Sequence, residues 1–339
     1  MIKTLTKNQD INKPKSRLLS RFAKNIKEIF FPFILIISVI FIIAKSKDFL
    51  AFSKEAADVF AATVLPAVLP FSLTVAFFKT LINEEVFANN TDGFSKKFFG
   101  FSGKAGVAVF YGLISGAPAG IAAARLLPDK DDFIKAAFLS SVPSPLLVIA
   151  CIGKISYKSF ITGGAMYLSA IISTIILYKS GVFINRAAKN PPYAIKSNFK
   201  NTGSAEIKNS LPLSCFLGLA ESFTLTVLFY VISCFAVKNV MVSVKPFIKN
   251  NPLLLNGLIA GLIETTSGCN FFCGDRGAVS ASLCMLTLTM GGLPSIIPQL
   301  NALKENGVKR ARFLLFKTAQ SLLTFVLCLI FLTLPALFR

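Results

Sequence analysis

Nine apolar runs divide the chain, at about residues 29–44, 56–81, 105–127, 133–152, 160–178, 211–237, 252–272, 278–300 and 313–338. One helix of about 20 mostly apolar residues spans the roughly 30 Å of a bilayer core, so the pattern predicts an all-α polytopic membrane protein. Two runs are interrupted near their centres. The fourth contains Ser140-Ser141-Val142-Pro143-Ser144-Pro145, which cannot continue a regular helix, because each proline removes a donor and disfavours helix at the residue before it. The eighth contains Gly291-Gly292-Leu293-Pro294-Ser295 and then Pro298.

Charge orients the runs. Ahead of the first stand Lys3, Lys7, Lys13, Lys15, Arg17, Arg21, Lys24 and Lys27 against Asp10 and Glu28, a flank of the kind that stays cytoplasmic. The run exits into Lys45-Ser46-Lys47 with no small-x-small cleavage pattern, which favours an uncleaved anchor over a signal peptide. Between the fifth and sixth runs, Lys179, Arg186, Lys189, Lys196, Lys200 and Lys208 face only Glu206, and the Asn-Pro-Pro composition there is that of a polar linker. This stretch is expected to be a second cytoplasmic loop. The expected plan is a basic tail (1–28), an anchor helix and loop (29–54), one membrane repeat (55–178), a basic linker (179–209) and a second repeat (210–339).

Three matches in order support duplication. Residues 71–78 agree with 223–230 at five positions, offset by 152. Gly112-Leu113-Ile114-Ser115-Gly116 matches Gly257-Leu258-Ile259-Ala260-Gly261, offset by 145, and Pro143-Ser144 matches Pro294-Ser295, offset by 151. Tail and linker both read as cytoplasmic, yet five runs lie between them. One run must therefore dip in and return, and the prolines point to the fourth and, by repetition, the eighth. Each repeat then has three spanning helices and one broken or re-entrant helix, and the second repeat is inverted relative to the first. In such folds a site forms near the midplane, where broken helices meet, and irregular backbone at that depth is tolerated only around protein or a watery cavity.

Composition narrows the chemistry. Charged residues make up 15% of the chain, against about 25% in soluble domains, and mean hydropathy is +0.66. The 36 Lys and Arg exceed the 16 Asp and Glu for a net +20. That excess sits mainly in the tail and cytoplasmic loops, where it suits anionic lipid, and nucleic-acid binding has no further support. No His is present, which removes imidazole ligands and the commonest general base. The seven Cys lack disulfide-framework or zinc spacing and read as reduced packing residues, Cys269 and Cys273 included. Asp275 and Arg276 form a polar turn, read as a local charge pair. No nucleophile with its base and no metal cluster can be assembled, so neither an enzyme nor a cofactor is expected.

Glu264, in Ile263-Glu264-Thr265-Thr266-Ser267-Gly268, is the leading candidate. A carboxylate at mid-bilayer costs about 2.5–3.5 kcal/mol on insertion scales and so normally has a partner or faces water. It is either a ligand or cation-coupling group, or an ion pair or helix-end cap. Glu221, near the start of its run, is equally readable as interfacial. The matching place in the first copy is the small-residue run from Ser115 to Gly120, which is either helix packing or a break exposing amides. The candidate solute site comprises Glu264, Thr265, Ser267, Ser115, Ser141, Ser144, Ser295 and Gln299.

Several elements together resemble the sporulation integral membrane protein family of the YlbJ type, within the wider nucleoside-recognition Gate domain group. They are residues 64–71 with Pro66 and Pro70, the Ser-Gly-x-Pro-x-Gly core ending at Gly120, Ser141 to Leu146, Gly261 to Gly268, and Gly291-Gly292-Leu293 with Ser295 and Gln299. The resemblance covers about residues 30–335. It implies a multi-pass bacterial cell-membrane protein with a cytoplasmic N-terminus, linked to endospore formation around cortex assembly, and a transporter-like fold. The function expected is passage or sensing of a small polar solute, with a coupling cation and an oligomer left open. The alternative is a non-transporting scaffold that recruits sporulation partners through the basic tail and linker.

Overall fold

The computed structural model describes residues 36–37, 39–66, 69–70, 83–183, 211–244 and 252–337. The basic tail, nearly all of the basic linker and residues 71–78 of the first repeat match lie outside these. The chain divides into two units, Met1–Phe52 and Ser53–Arg339. Of the first unit, residues 36–37 and 39–44 are helical, and Ile40 and Ile43 expose most of their surface; residues 29–35 and 38 of the expected anchor lie outside the described residues.

Helix α1 (Ser46–Val59) crosses into the second unit and ends in a π turn, Phe60–Val64. Then follow α2 (Glu84–Phe99), α3 (Gly103–Ser115), α4 (Ala117–Ala124), α5 (Lys130–Leu139), the π-helical α6 (Leu146–Ser156), α7 (Phe160–Lys179) and α8 (Leu211–Val244). The chain closes with α9 (Pro252–Ile263), α10 (Thr265–Phe272), α11 (Ala278–Met290), α12 (Leu293–Glu305) and α13 (Arg310–Leu337). Among the described residues there is no strand. Polar residues start the helices as capping chemistry requires: Asn83 Oδ1 accepts from the amides of Glu85 and Val86, Asp129 caps α5, and Ser159 Oγ accepts from Thr162 N at 3.1 Å.

Four segments are long and apolar enough to cross a membrane: Phe160–Lys179, Ser222–Val240, Ala278–Glu305 and Arg310–Leu334. Their amphipathicity is the reverse of a soluble helix. On α13, Leu315, Leu322, Val326 and Ile330 are exposed, while Lys317, Gln320, Ser321 and Thr324 are buried. On α7, Ile161, Leu168 and Ile176 face out, and Ser169, Ser173 and Thr174 face in. Lipid is the solvent that makes such a surface stable.

Two elements fold back on themselves. A Cβ built on Gly120 would lie 2.6 Å from Gly112 Cα, so α3 and α4 form an antiparallel hairpin whose tip is Ser115-Gly116-Ala117. A Cβ on Gly268 would lie 2.3 Å from Gly261 Cα, and one on Gly257 2.6 Å from the Phe272 ring, so α9 and α10 form a second hairpin with its tip at Glu264. Small residues on facing helices allow this closeness. Gly116, at φ +95, turns the first tip, a conformation open to glycine.

The third and seventh runs, read as crossings, fold back at these tips. The eighth, read as broken or re-entrant, is a 28-residue candidate span with a joint at Gly291-Gly292, both at positive φ. The fourth is broken as expected, with residues 141–144 outside any helix. The two tips, at Gly116 and Glu264, lie 148 residues apart in the chain.

Two apolar clusters hold the molecule. One contains Ala105, Ile121, Ala124, Phe133, Phe138, Tyr178, Leu303, Phe313 and Phe316. The other contains Val148, Ile152, Met166, Ala170, Cys269, Phe272, Met285 and Cys328. Both arms of the first hairpin enter the first cluster, and both arms of the second enter the second. Arg125 bonds Glu305 beside the first cluster, and Tyr157 donates to Phe272 O at 3.4 Å in the second. Helices α7 and α13 link the clusters and run antiparallel: Phe183 meets Phe316 edge to face, and Ser173 meets Thr324 at 2.6 Å.

Candidate functional site

Between the two apolar clusters lies a polar layer, built from the hairpin tips, the breaks and the middles of α7 and α13. Each tip touches its own break. Ala117 N donates to Val142 O at 2.8 Å, and a Cβ on Gly116 would lie 3.1 Å from Ser144 N. At the second tip, a Cβ on Gly292 would lie 3.0 Å from Thr265 N and 3.3 Å from Glu264 Cα. One turn of α13 then sits between the breaks. Lys317 Nζ and Gln320 Nε2 donate to Ser141 O at 3.1 and 2.8 Å, while the hydroxyls of Thr318 and Ser321 lie 4.0 Å from Met290 Sδ.

Glu264 is 2% exposed and caps α10. Its Oε1 accepts from Thr266 N at 3.0 Å, and its Oε2 accepts from Thr266 Oγ1 at 2.6 Å and Ser267 N at 2.7 Å. Ser267 donates to Glu264 O, and Ser233 of α8 donates to Ser267 Oγ at 2.7 Å. The carboxylate is thus the helix-end cap that the sequence left open as one of two readings, and it orders the tip. The Thr265 side chain bonds the same carboxylate, so its roughly four acceptor sites are taken by the first residues of its own helix.

The other candidates divide in two. The side-chain oxygens of Ser115, Ser141, Ser144 and Gln299 are buried with no hydrogen-bond partner. Such atoms are costly, and these four lie at the first tip, the first break and in α12 beyond the second break. Ser295 is used locally, accepting from Gln299 Nε2 at 2.8 Å. The side chain of Glu221 lies outside the described residues. Asp275 accepts from Gly277 N at 3.1 Å and makes no ion pair with Arg276, because the turn points it at its own backbone. Cys269 Sγ lies 3.4 Å from Cys284 Sγ within the second cluster. Among the described residues, no group of three His, Cys, Asp or Glu could hold a metal ion.

Sequence reasoning missed Lys317 and Gln320, which are 2% and 0% exposed. Lys317 follows closely on Lys309, Arg310 and Arg312 and so reads as part of the flank. The available signal was the polar spacing of Lys317, Gln320, Ser321 and Thr324, which puts one stripe on one helical face. Also unseen were Ser140 and Thr287, which fill the glycine seams of the hairpins: Cβ atoms on Gly112 and Gly261 would lie 2.3 and 2.8 Å from their Cβ atoms. No protein-family model, curated protein or solved structure matches the chain, and its function is therefore read from these residues.

Proposed function

We propose that the chain is a membrane permease for a small polar solute, built as two inverted halves around the polar layer. The carrying observation is the set of unpartnered buried oxygens on Ser115, Ser141, Ser144 and Gln299, placed where irregular backbone from both halves gathers. A solute with donors would satisfy them, as sites between broken helices do.

The inverted arrangement has its own support. The order hairpin, broken element, long helix occurs twice, and the equivalent helices α7 and α13 are antiparallel. They meet at Ser173 and Thr324, 151 residues apart, which is the repeat offset of Pro143 and Pro294. Residues related by the repeat touch each other only near a two-fold axis. With the hairpins re-entrant and the fourth and eighth runs crossing, the linker returns to the side of the basic tail. Arg125 and Lys130 then share that side with Lys304 and Arg310, as the positive-inside rule asks and as the Arg125–Glu305 bond requires. Each hairpin would enter from the opposite face.

The coupling cation rests on the sequence reading of Glu264, and the link to endospore formation on the family resemblance. The test is uptake of labelled uridine, glutamine, glycerol and acetate into proteoliposomes holding the full chain. Uptake of at least one, lost in Ser144→Val and Gln299→Leu while thermal stability is kept, is the expected result. No uptake, together with loss of sporulation on neutralising the linker lysines, would favour the scaffold instead.

A further inference from the structure

We infer that the solute is a small organic or inorganic anion, held at the first break by the Lys317 ammonium and the Ser141 hydroxyl. The inference rests on the permease reading and names its substrate class. Lys317 lies in the Arg310–Leu334 candidate span, at 2% exposure. An ammonium has three protons, and only one is used, on Ser141 O at 3.1 Å. Among the described residues no carboxylate pairs with it. Glu264, the buried carboxylate of the other half, spends its oxygens on the amides and hydroxyl of its own helix.

A charge at that depth is normally neutralised by a partner, and the described residues supply none here. They supply further donors instead. Ser141 Oγ has no partner and is 0% exposed, and it belongs to the residue whose carbonyl holds the ammonium. Ser144 Oγ, three residues on at the same break, is likewise unpartnered. An ammonium and the hydroxyl of the residue it bonds match the oxygens of a carboxylate or phosphate, and Ser144 adds a second hydroxyl at the same break. The two tips thus differ in charge, Ser115 at the first against Glu264 at the second, and among the described residues only the first break is reached by a cation. A neutral solute would leave that cation unpaired.

The test uses purified full-length protein in nanodiscs. Acetate, succinate and inorganic phosphate are titrated against a potassium chloride control of equal ionic strength, with uridine as the neutral comparison, and read by calorimetry and thermal stability. The expected result is saturable binding of at least one of the three anions. That binding falls at least tenfold in Lys317→Met, falls several-fold in Ser141→Ala, and is largely kept in Lys317→Arg. If Lys317→Met does not fold, Ser141→Ala and Lys317→Arg carry the test, since Ser141→Ala leaves the Ser141 carbonyl in place. Absence of binding by all three anions overturns the inference, as does binding that is unchanged in Ser141→Ala and Lys317→Met. Uptake of uridine independent of Lys317 would keep the permease and remove the anion; anion binding without uptake would do the reverse.

Discussion

Replacing Gly268 by alanine tests the hairpin on which the second half of the site depends. The new Cβ would lie 2.3 Å from Gly261 Cα, 2.7 Å from Gly261 N and 2.9 Å from Gly257 O. All three are backbone atoms of the facing arm, so no side chain can swing aside, and the arms must part by about 1.1 Å to reach the 3.4 Å of ordinary contact. Overpacking of this kind costs about 1–3 kcal/mol, offset by roughly 0.5–1 kcal/mol from the better helix propensity of alanine. The net loss is about 1–2 kcal/mol, or a few degrees of unfolding temperature at the roughly 2–4 °C per kcal/mol of mid-sized domains. Gly93 in α2 is the control, because nothing lies within 4 Å of its added Cβ; Gly93→Ala should gain about 0.5–1 kcal/mol. The chain has no Trp but buries Cys151, Cys269, Cys284 and Cys328. A thiol-reactive fluorophore therefore reports unfolding of the detergent-solubilised protein without any introduced cysteine. Gly268→Ala melting at or above the wild type, with Gly93→Ala no higher, would refute the close antiparallel packing.

Gly116→Ala should also destabilise, by about 1–3 kcal/mol, because it meets both φ +95 and the Ser144 amide at 3.1 Å; circular dichroism melts would check this, and an unchanged melt would deny the strained tip. Glu264→Gln keeps one acceptor oxygen and loses one, so stability should fall by about 0.5–2 kcal/mol, and any uptake found in proteoliposomes should fall further than that loss explains. Tyr230→Phe removes a hydroxyl that donates to Glu55 Oε1 at 2.9 Å and accepts from Asn270 at 3.3 Å; a cost of about 1 kcal/mol is expected, and a double-mutant cycle with Glu55→Gln should return most of it as coupling. Cysteines introduced at Arg125 and Arg276 should label from opposite faces of sealed vesicles; labelling from one face would remove the inverted arrangement.

The amino-acid sequence by itself determined the solvent, the helices and the places where helix cannot continue. Apolar runs of fixed length, a charge excess confined to their ends and two Pro-Ser or Gly-Gly interruptions are local properties, and α7, α13 and the break at Ser141 follow from them directly. It also placed Ser115, Ser144 and Gln299, since hydroxyls and amides beside an interruption stand out from an apolar background. Only the tertiary structure decided which runs turn back. Gly112, Gly120, Gly261 and Gly268 read equally as packing between helices or packing within a hairpin, and the choice depends on which neighbour reaches the seam, here Ser140 and Thr287. It also decided that Glu264 caps α10, because a carboxylate's partners are set by the direction of the chain after it. Lys317 was hidden for the same reason: one more cation after a basic flank is ordinary in sequence, and becomes a buried charge only when α13 packs its polar stripe against the carbonyl of Ser141.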